Sequence, residues 1–287
     1  MSEALLITGC RQLVTLRGPA PRRGRVLREL GIIHDGALLI RDGRIAAVGT
    51  RRAIERRKDA KRARKLDLGG RVALPGFVDS HTHLVFAGHR AEEYEKRIAG
   101  ATYEQIARAG GGILSSVRKV RAADADLLFT RAAAWIKEFA AHGTTTVEAK
   151  SGYGLDAASE LKILRVLDAL RRHTWFDVVP TFMGAHVVPP EFAKRPDAYV
   201  ELLVHKLIPY VAKEGLAEFC DVFCDRGAFT VAQARRILTA GRACGLVPRI
   251  HAEQLARTGA ARLAVELHAA SADHLEKINA ADIRALA

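Results

Sequence analysis

Cysteine is scarce in this chain, and its spacing excludes the folds that depend on it. Four cysteines occur among 287 residues; Cys220 and Cys224 lie four apart, whereas Cys10 and Cys244 stand alone. There is no CxxC pair and no dense spacing of the kind that indicates a disulfide framework. A reducing compartment fits this usage best, so we expect a cytoplasmic protein.

The N-terminal segment, MSEALLITGC, lacks a long apolar run. It carries an acidic residue where an export signal would be basic, and its apolar stretch is too short to span a membrane. We therefore expect a soluble protein that has no membrane partner.

Aromatic residues make up only 6% of the chain, and none occurs in its most basic segment. The formal net charge is +13, and much of it lies in residues 51–65, RRAIERRKDAKRARK. Proteins that bind single-stranded nucleic acid combine such charge with aromatic rings on which the bases stack. The segment therefore indicates a solvated helix or loop, and we expect at most a weak contact with a polyanion.

Apolar residues, in contrast, are plentiful enough for a large core, since 49% of the chain is hydrophobic and 27% is charged. A chain of 287 residues is longer than most single domains, so we expect one small and one large domain. The first seventy residues read as short strands separated by turns, and ALLIRDGRIAAVG predicts a hairpin around an Asp-Gly turn.

After residue 75 helix-length and strand-length segments alternate. Helices are predicted at residues 124–142 and 157–173, among several short apolar strands. These strands are at residues 145–149, 176–181, 220–224, 246–250 and 269–272. About six such repeats favour a (β/α) barrel with parallel strands over a doubly wound sheet.

The motif VDSHTH ends a further apolar run, VALPGFV at residues 72–78, which reads as a buried strand. Working groups in such barrels project from the carboxyl ends of the strands, and alternation points His81 and His83 inward together. His186, His251 and His274 also follow predicted strands. A single histidine after a strand is more often structural. The same placement at four strand ends instead predicts a metal site that includes the HxH pair and His251.

Five segments together resemble imidazolonepropionase, a family of the amidohydrolase superfamily. They are LPGFVDSHTHLVFAGHR, VEAKSGYGLD, PTFMGAHVVPPEF, RIHAEQL and SADHLE. The HxH pair marks only the superfamily, whereas SGYG, GAHVVPPEF and HAEQ in that order are far more specific. The resemblance implies an α/β fold, with a small β-sandwich domain at residues 1–74. Residues 75–287 would form an incomplete (β/α)8-type amidohydrolase barrel.

The resemblance also implies a reaction, the hydrolysis of the ring amide of 4-imidazolone-5-propanoate to N-formimidoyl-L-glutamate in histidine degradation. One divalent or trivalent metal ion per chain, zinc or iron, would be held by His81, His83 and His251. The metal would lower the pKa of a bound water. His274 would be catalytic, either polarising the carbonyl or positioning the water.

Substrate contacts follow from the same resemblance. Arg90 matches an arginine that can hold the propionate group with two hydrogen bonds. Tyr153 and His186 match further contacts, although packing would be the default role for each in isolation. Gln254 stands where some members carry glutamate, and its amide can still bond the imidazolone ring. Tyr103 is a weaker candidate.

One residue of the family pattern is not found. The fourth metal ligand of the family is an aspartate near the last barrel strands, whereas only 13 residues follow His274 and they read as one helix. Asp282 lies in that helix, so we do not assign the aspartate to it. Six predicted barrel strands, ending from His83 to Asp273, would leave an open edge. We expect a C-terminally truncated barrel, whose edge a homodimer could cover.

Two other functions stay open. Another cyclic amidohydrolase or a deaminase would share the HxH strand, and Lys150 could be a carboxylated lysine that bridges two metal ions. A single metal ion per chain would exclude that bridge. The chain could also be inactive, with the basic segment as the one part that binds other molecules. A salt-sensitive mobility shift of nucleic acid, without turnover, would favour this alternative.

Overall fold

The Asp-Gly pair forms the hairpin that the sequence predicts. In the computed structural model, which describes residues 4–102, 105–106 and 109–287, Ile32–Arg41 pairs antiparallel with Arg44–Thr50. Between them, Asp42 and Gly43 have φ angles of 51° and 71°. A two-residue hairpin turn needs this left-handed conformation, which glycine adopts without steric cost.

The first of two units, Met1–Gly76, is built on one mixed sheet in the part of the chain that the structure describes. Its strands are β1 (Ala4–Val14), β2 (Ile32–Arg41), β3 (Arg44–Thr50), β4 (Arg64–Asp67) and β5 (Val72–Ala73). Their order is β3-β2-β1-β4, and β5 also pairs with β1. Helix α1 (Arg51–Glu55) places Ile54 in an apolar cluster with Leu6 and Leu39.

The second unit, Phe77–Ala287, is built on a parallel sheet. Its described strands are β6 (Phe77–Thr82), β7 (Thr144–Lys150), β8 (Asp177–Ala185), β9 (Phe219–Cys224), β10 (Val247–Ala252) and β11 (Ser271–His274). Their order in the sheet follows the chain from β6 to β11, and every neighbouring pair is parallel. Sequential parallel strands joined by helices form a (β/α) barrel, here with six described strands. The predicted incomplete barrel is confirmed.

Helices connect these strands. The described helices are α2 (Ala91–Ile98), α3 (Ile113–Ala122), α4 (Ala125–Ala141), α5 (Ala157–His173), α6 (Pro196–Leu202), α7 (Ile208–Lys213), α8 (Val231–Ala243), α9 (Ala260–Glu266) and α10 (Ala280–Leu286). Side-chain caps help to set where they begin: Asp124 accepts a 2.7 Å hydrogen bond from the Leu127 N–H, and Thr230 forms a capping box with Gln233. Within the described ranges, no helix combines the length and apolar character needed to cross a membrane.

The core of the second unit lies between the sheet and its helices, where Val147, Leu164 and Ile250 are fully buried. The strand predicted to be buried at residues 72–78 differs from this core in both its position and its exposure. It begins at Phe77, which is 56% exposed, and Val78 is 65% exposed. That prediction was wrong because β6 is the edge of the described sheet and has β7 as its one neighbour there.

Candidate metal centre and substrate pocket

A pocket of about 340 Å³ lies at the carboxyl ends of the barrel strands. This size suits a small molecule. All eight site residues predicted from the sequence line the pocket: His81, His83, Arg90, Tyr153, His186, His251, Gln254 and His274. Parallel strands bring their carboxyl ends to one edge of the sheet, which explains why residues so distant in sequence meet. Tyr103 lies outside the described residues.

Two of the predicted metal ligands contact carboxylates through Nδ1. His81 Nδ1 lies 2.9 Å from an oxygen of Asp273, and His251 Nδ1 lies 3.1 Å from an oxygen of Asp221. An ionised carboxylate only accepts hydrogen bonds, so each imidazole donates from Nδ1. The lone pair is then on Nε2, where a metal can bind, and the carboxylate fixes the direction of the ring.

Both carboxylates are ionised. Burial alone would raise the pKa of Asp221, but the charges of His251 and Lys150 and their hydrogen bonds hold that pKa well below its usual range. Burial would also raise the pKa of Asp273, and there the hydrogen bond from His81 and the charge of Lys150 lower it. Opposite charge and donated hydrogen bonds thus outweigh desolvation at both sites.

Two further histidines of the pocket are held by backbone carbonyls. His83 Nδ1 lies 3.0 Å from the carbonyl oxygen of Ser151, and His186 Nδ1 lies 3.0 Å from that of Gly152. A carbonyl accepts only, so these rings also donate from Nδ1 and present the lone pair of Nε2. Burial lowers the pKa of His83 well below its usual value and that of His186 to about 3, so both rings are neutral at pH 7.

The ligand atoms of His81, His251 and His274 lie within 4.8 Å of one another. Neutral imidazole nitrogens suit zinc and iron, so this donor set fits a metal ion. The sequence placed His83 in the set instead of His274. In the structure the His83 ring centroid is 6.5 Å from that of His81, and the ring stacks on Tyr153 at 4.5 Å. Which of these histidines are ligands stays a prediction.

The SGYG loop, which carries Tyr153, folds around a buried carboxylate that the sequence reading missed. Glu160 accepts hydrogen bonds of 2.7–3.1 Å from the N–H groups of Gly152, Gly154 and Leu155. Gly152 has a φ of 99°, a conformation that favours glycine. Burial raises the pKa of Glu160, although these N–H groups act in the opposite direction.

A second buried carboxylate holds the loop of Gln254. Asp225 accepts hydrogen bonds from the N–H groups of Gln254 at 2.7 Å, Leu255 at 2.8 Å and Ala256 at 3.0 Å. It directly follows the apolar strand β9, and an acidic residue at a strand end was the available sequence signal. Arg90, which also lines the pocket, precedes α2, and its guanidinium lies 3.8 Å from Glu93.

Lys150 is not placed as a carboxylated bridge would require. Its fully buried Nζ donates to Glu148 at 2.9 Å and to Asp221 at 2.8 Å. Burial would lower the pKa of Lys150, but these two carboxylates raise it above its usual value. Carboxylation starts from a neutral amine and creates a negative charge, which these neighbours oppose, so the binuclear alternative is disfavoured.

Asp282 lies in helix α10, as expected from the sequence, and its carboxylate pairs with Arg257 at 2.8 Å and Arg262 at 3.1 Å. These two ion pairs account for the buried carboxylate of Asp282 without a role at the metal site. The carboxylates that do reach the histidines, Asp221 and Asp273, are the ones that the sequence reading missed. Asp221 interrupts the apolar strand β9, and Asp273 directly precedes His274 at the end of β11, which were the signals available for them.

A model of the amidohydrolase family matches residues 72–287. Among curated proteins, imidazolonepropionase of Solibacter usitatus is 51% identical over 100% of this chain and 68% of its own length. Imidazolonepropionase of Symbiobacterium thermophilum is 51% identical over 94% of this chain and 64% of its own length. The chain thus spans about two thirds of the length of these relatives.

Solved structures share the fold at low sequence identity. A. niger ochratoxinase has a TM-score of 0.58 at 15% identity, covering 99% of this chain and 63% of its own. Guanine deaminase from C. acetobutylicum has a TM-score of 0.58 at 12% identity, covering 99% of this chain and 65% of its own. 5-Methylcytosine deaminase from Klebsiella pneumoniae has a TM-score of 0.60 at 16% identity, covering 91% of this chain and 55% of its own. These similarities support the barrel architecture alone.

Proposed function

The chain belongs to the imidazolonepropionase family of amidohydrolases, and from that premise we propose that it hydrolyses the ring amide of 4-imidazolone-5-propanoate to N-formimidoyl-L-glutamate. The observation that carries the proposal is the pocket itself. It places five histidines beside an arginine and a glutamine, and four of those imidazoles donate from Nδ1 to fixed oxygens. Such a site can hold a metal ion and an anionic substrate side by side.

The metal in this proposal is one zinc or iron ion per chain. His81 and His251 are its proposed ligands, with His83 the third ligand expected from the family and His274 the third suggested by proximity. A bound metal would supply a water of lowered pKa that can attack the ring carbon near neutral pH. Burial lowers the pKa of His83 and of His274, which leaves the lone pairs of these two imidazoles available.

The remaining residues bind and orient the substrate. The Arg90 guanidinium pairs with the propionate, and Tyr153, His186 and Gln254 contact the imidazolone ring. His274 is the proposed catalytic residue. Burial, with the charges of His251 and His81, lowers its pKa, so the ring is neutral at pH 7 and can donate one hydrogen bond to the scissile carbonyl.

The same proposal includes a cytoplasmic location and no nucleic-acid partner. A homodimer is the proposed assembly, because the edge strands β6 and β11 each have one neighbour in the described sheet. Size-exclusion chromatography with light scattering would measure the mass in solution.

The direct test supplies the chain with zinc or iron and follows the loss of imidazolone absorbance with time. The control is the His251→Ala variant, and metal content per chain is measured in the same samples. Turnover with one metal ion per chain supports the proposal. Binding of the substrate without turnover would limit the chain to the recognition part of the site, and neither binding nor turnover would contradict the proposal. Two metal ions per chain would revive the binuclear alternative.

A further inference from the structure

Three charged side chains from alternate barrel strands meet behind the histidines. Lys150 is on β7, Asp221 on β9 and Asp273 on β11, the second, fourth and sixth strands of the unit. Side chains of alternate strands fill one layer of a barrel interior, which accounts for their meeting. Lys150 Nζ lies 2.8 Å from Asp221 and 3.5 Å from Asp273, and the side chains of Lys150 and Asp221 are both 0% exposed.

Each carboxylate of this layer also holds a histidine of the candidate metal centre. Asp221 uses one oxygen for Lys150 and the other for His251 Nδ1. Asp273 contacts both Lys150 and His81 Nδ1 through the same oxygen. The result is a continuous series of polar contacts, His251–Asp221–Lys150–Asp273–His81, whose members come from five of the six described strands. The two imidazole centroids at its ends are 4.6 Å apart.

We propose that Lys150 is a positioning residue that sets the separation of Asp221 and Asp273 and thereby aims the Nε2 atoms of His251 and His81 at one metal ion. Two carboxylates so close would repel each other without a cation between them. One of them would then turn away, and its imidazole would lose the acceptor that fixes the ring.

Arg249 does not replace this cation. Its guanidinium lies 3.6 Å from Asp273 and donates to the Ser80 carbonyl at 2.9 Å. In the ion pairs of the described residues, Lys150 is the cation that joins Asp221 to Asp273. An apolar side chain of similar length would fill the same space without the desolvation that a buried ammonium requires. Orientation of the histidines therefore explains the buried group of Lys150, Asp221 and Asp273 better than packing does.

The inference rests on the metal site of the proposed function, and its test measures metal binding apart from turnover. Lys150→Met removes the charge and keeps the length of the side chain. The readouts are the dissociation constant of Co²⁺ for the whole chain and the visible absorption of the bound ion, which reports its coordination geometry. We expect Co²⁺ affinity to fall by about 10- to 100-fold, as is typical when the partner of a ligating histidine is lost, and the spectrum to change.

Lys162→Met is the matched control. Lys162 is partly buried, and its Nζ donates to the carbonyls of Val120 at 2.9 Å and Ala123 at 2.6 Å. It is not joined to the histidines by any ion pair of the described residues. Its loss should lower the melting temperature without changing Co²⁺ affinity or the spectrum. If the Lys150→Met chain does not fold, Asp221→Asn tests the same series of contacts, with the same expected loss of affinity.

Unchanged Co²⁺ affinity and spectrum in a folded Lys150→Met or Asp221→Asn variant would overturn the inference. So would a wild-type chain that binds no Co²⁺. A wild-type chain that binds Co²⁺ but does not hydrolyse imidazolone propionate would count against the proposed function alone, because the positioning of the histidines is measured without turnover.

Discussion

The middle and edge strands of the barrel sheet carry the same type of functional residue in different surroundings. In β9 and β10 five of six residues are buried, whereas β6 and β11 contain no buried residue. His251 lies on β10, while His81 and His274 lie on the two edge strands. The middle strands thus supply most of the buried side chains, and the edge strands carry two of the five histidines that line the pocket.

Side-chain contacts across the barrel interior compensate for the poor packing of the edges. His81 of β6 bonds Asp273 of β11, so the two edges are joined directly even though neither is covered by a further described strand. The Arg249 guanidinium of β10 also donates to the backbone of β6 at Ser80. His81 thus depends on a polar contact across the barrel, whereas His251 has both a carboxylate partner and a buried strand around it. This contrast can be tested at four levels, from the largest expected effect to the smallest.

Removing a proposed ligand should abolish function from either position in the sheet. For both His81→Ala and His251→Ala we expect metal content to fall from one ion per chain to almost none, and the rate to fall by at least about a thousandfold, because the activated water is lost. Metal analysis and absorbance kinetics measure the two losses. Full metal occupancy and rate in His81→Ala would show that the edge strand does not supply a ligand.

Core packing should separate the two regions. Ile250 on β10 is fully buried and Val78 on β6 is 65% exposed. Ile250→Ala should lower the free energy of unfolding by about 2–5 kcal/mol, through lost burial and the cavity left behind. Val78→Ala should change it by less than about 0.5 kcal/mol. Urea unfolding measures both values, and equal losses would mean that β6 is covered in solution, for example by a second copy of the chain.

The carboxylates that contact the pocket segments after the strands should show the same contrast. Asp225 is 4% exposed and holds the Gln254 loop through three N–H groups, whereas Glu93 lies 3.8 Å from Arg90. Asp225→Asn should raise KM roughly 10- to 100-fold, since hydrogen bonds to a charged group contribute about 1.5–3 kcal/mol. Glu93→Gln should change KM by less than about fivefold, because partly exposed ion pairs are weak. A larger rise of KM in Glu93→Gln than in Asp225→Asn would contradict the prediction that the buried carboxylate matters more for substrate binding.

The pH dependence of stability should also report the buried middle of the site. Burial lowers the pKa of His186 from 6.5 to about 3 in the folded chain. Between these values the unfolded state binds the proton, so stability is lost as pH falls from 6.5 towards 3, by at most about 1.4 kcal/mol per pH unit. His186→Gln should flatten the plot of unfolding free energy against pH in this window. His274→Gln, at the more exposed edge, should flatten it less.

Much of this architecture was readable from local pattern. Strand-helix alternation predicted the parallel sheet, the Asp-Gly pair predicted the hairpin of β2 and β3, and the strand-end histidines proved to line one pocket. The exposure of β6 was not readable, because VALPGFV is as apolar as a central strand. Whether such a run is buried depends on how many neighbours the strand has, and the run itself does not contain that information.

The sequence by itself determined the elements, the end of the barrel at which the functional groups gather, and the residue types that meet there. The tertiary structure alone decided which groups are partners. His251 and Asp221 are 30 positions apart and His81 and Asp273 are 192 apart, and each pair meets through strand register in the sheet. Local periodicity fixes the face on which a side chain lies. The stagger between strands, set by long-range hydrogen bonding and packing, decides which carboxylate reaches which imidazole.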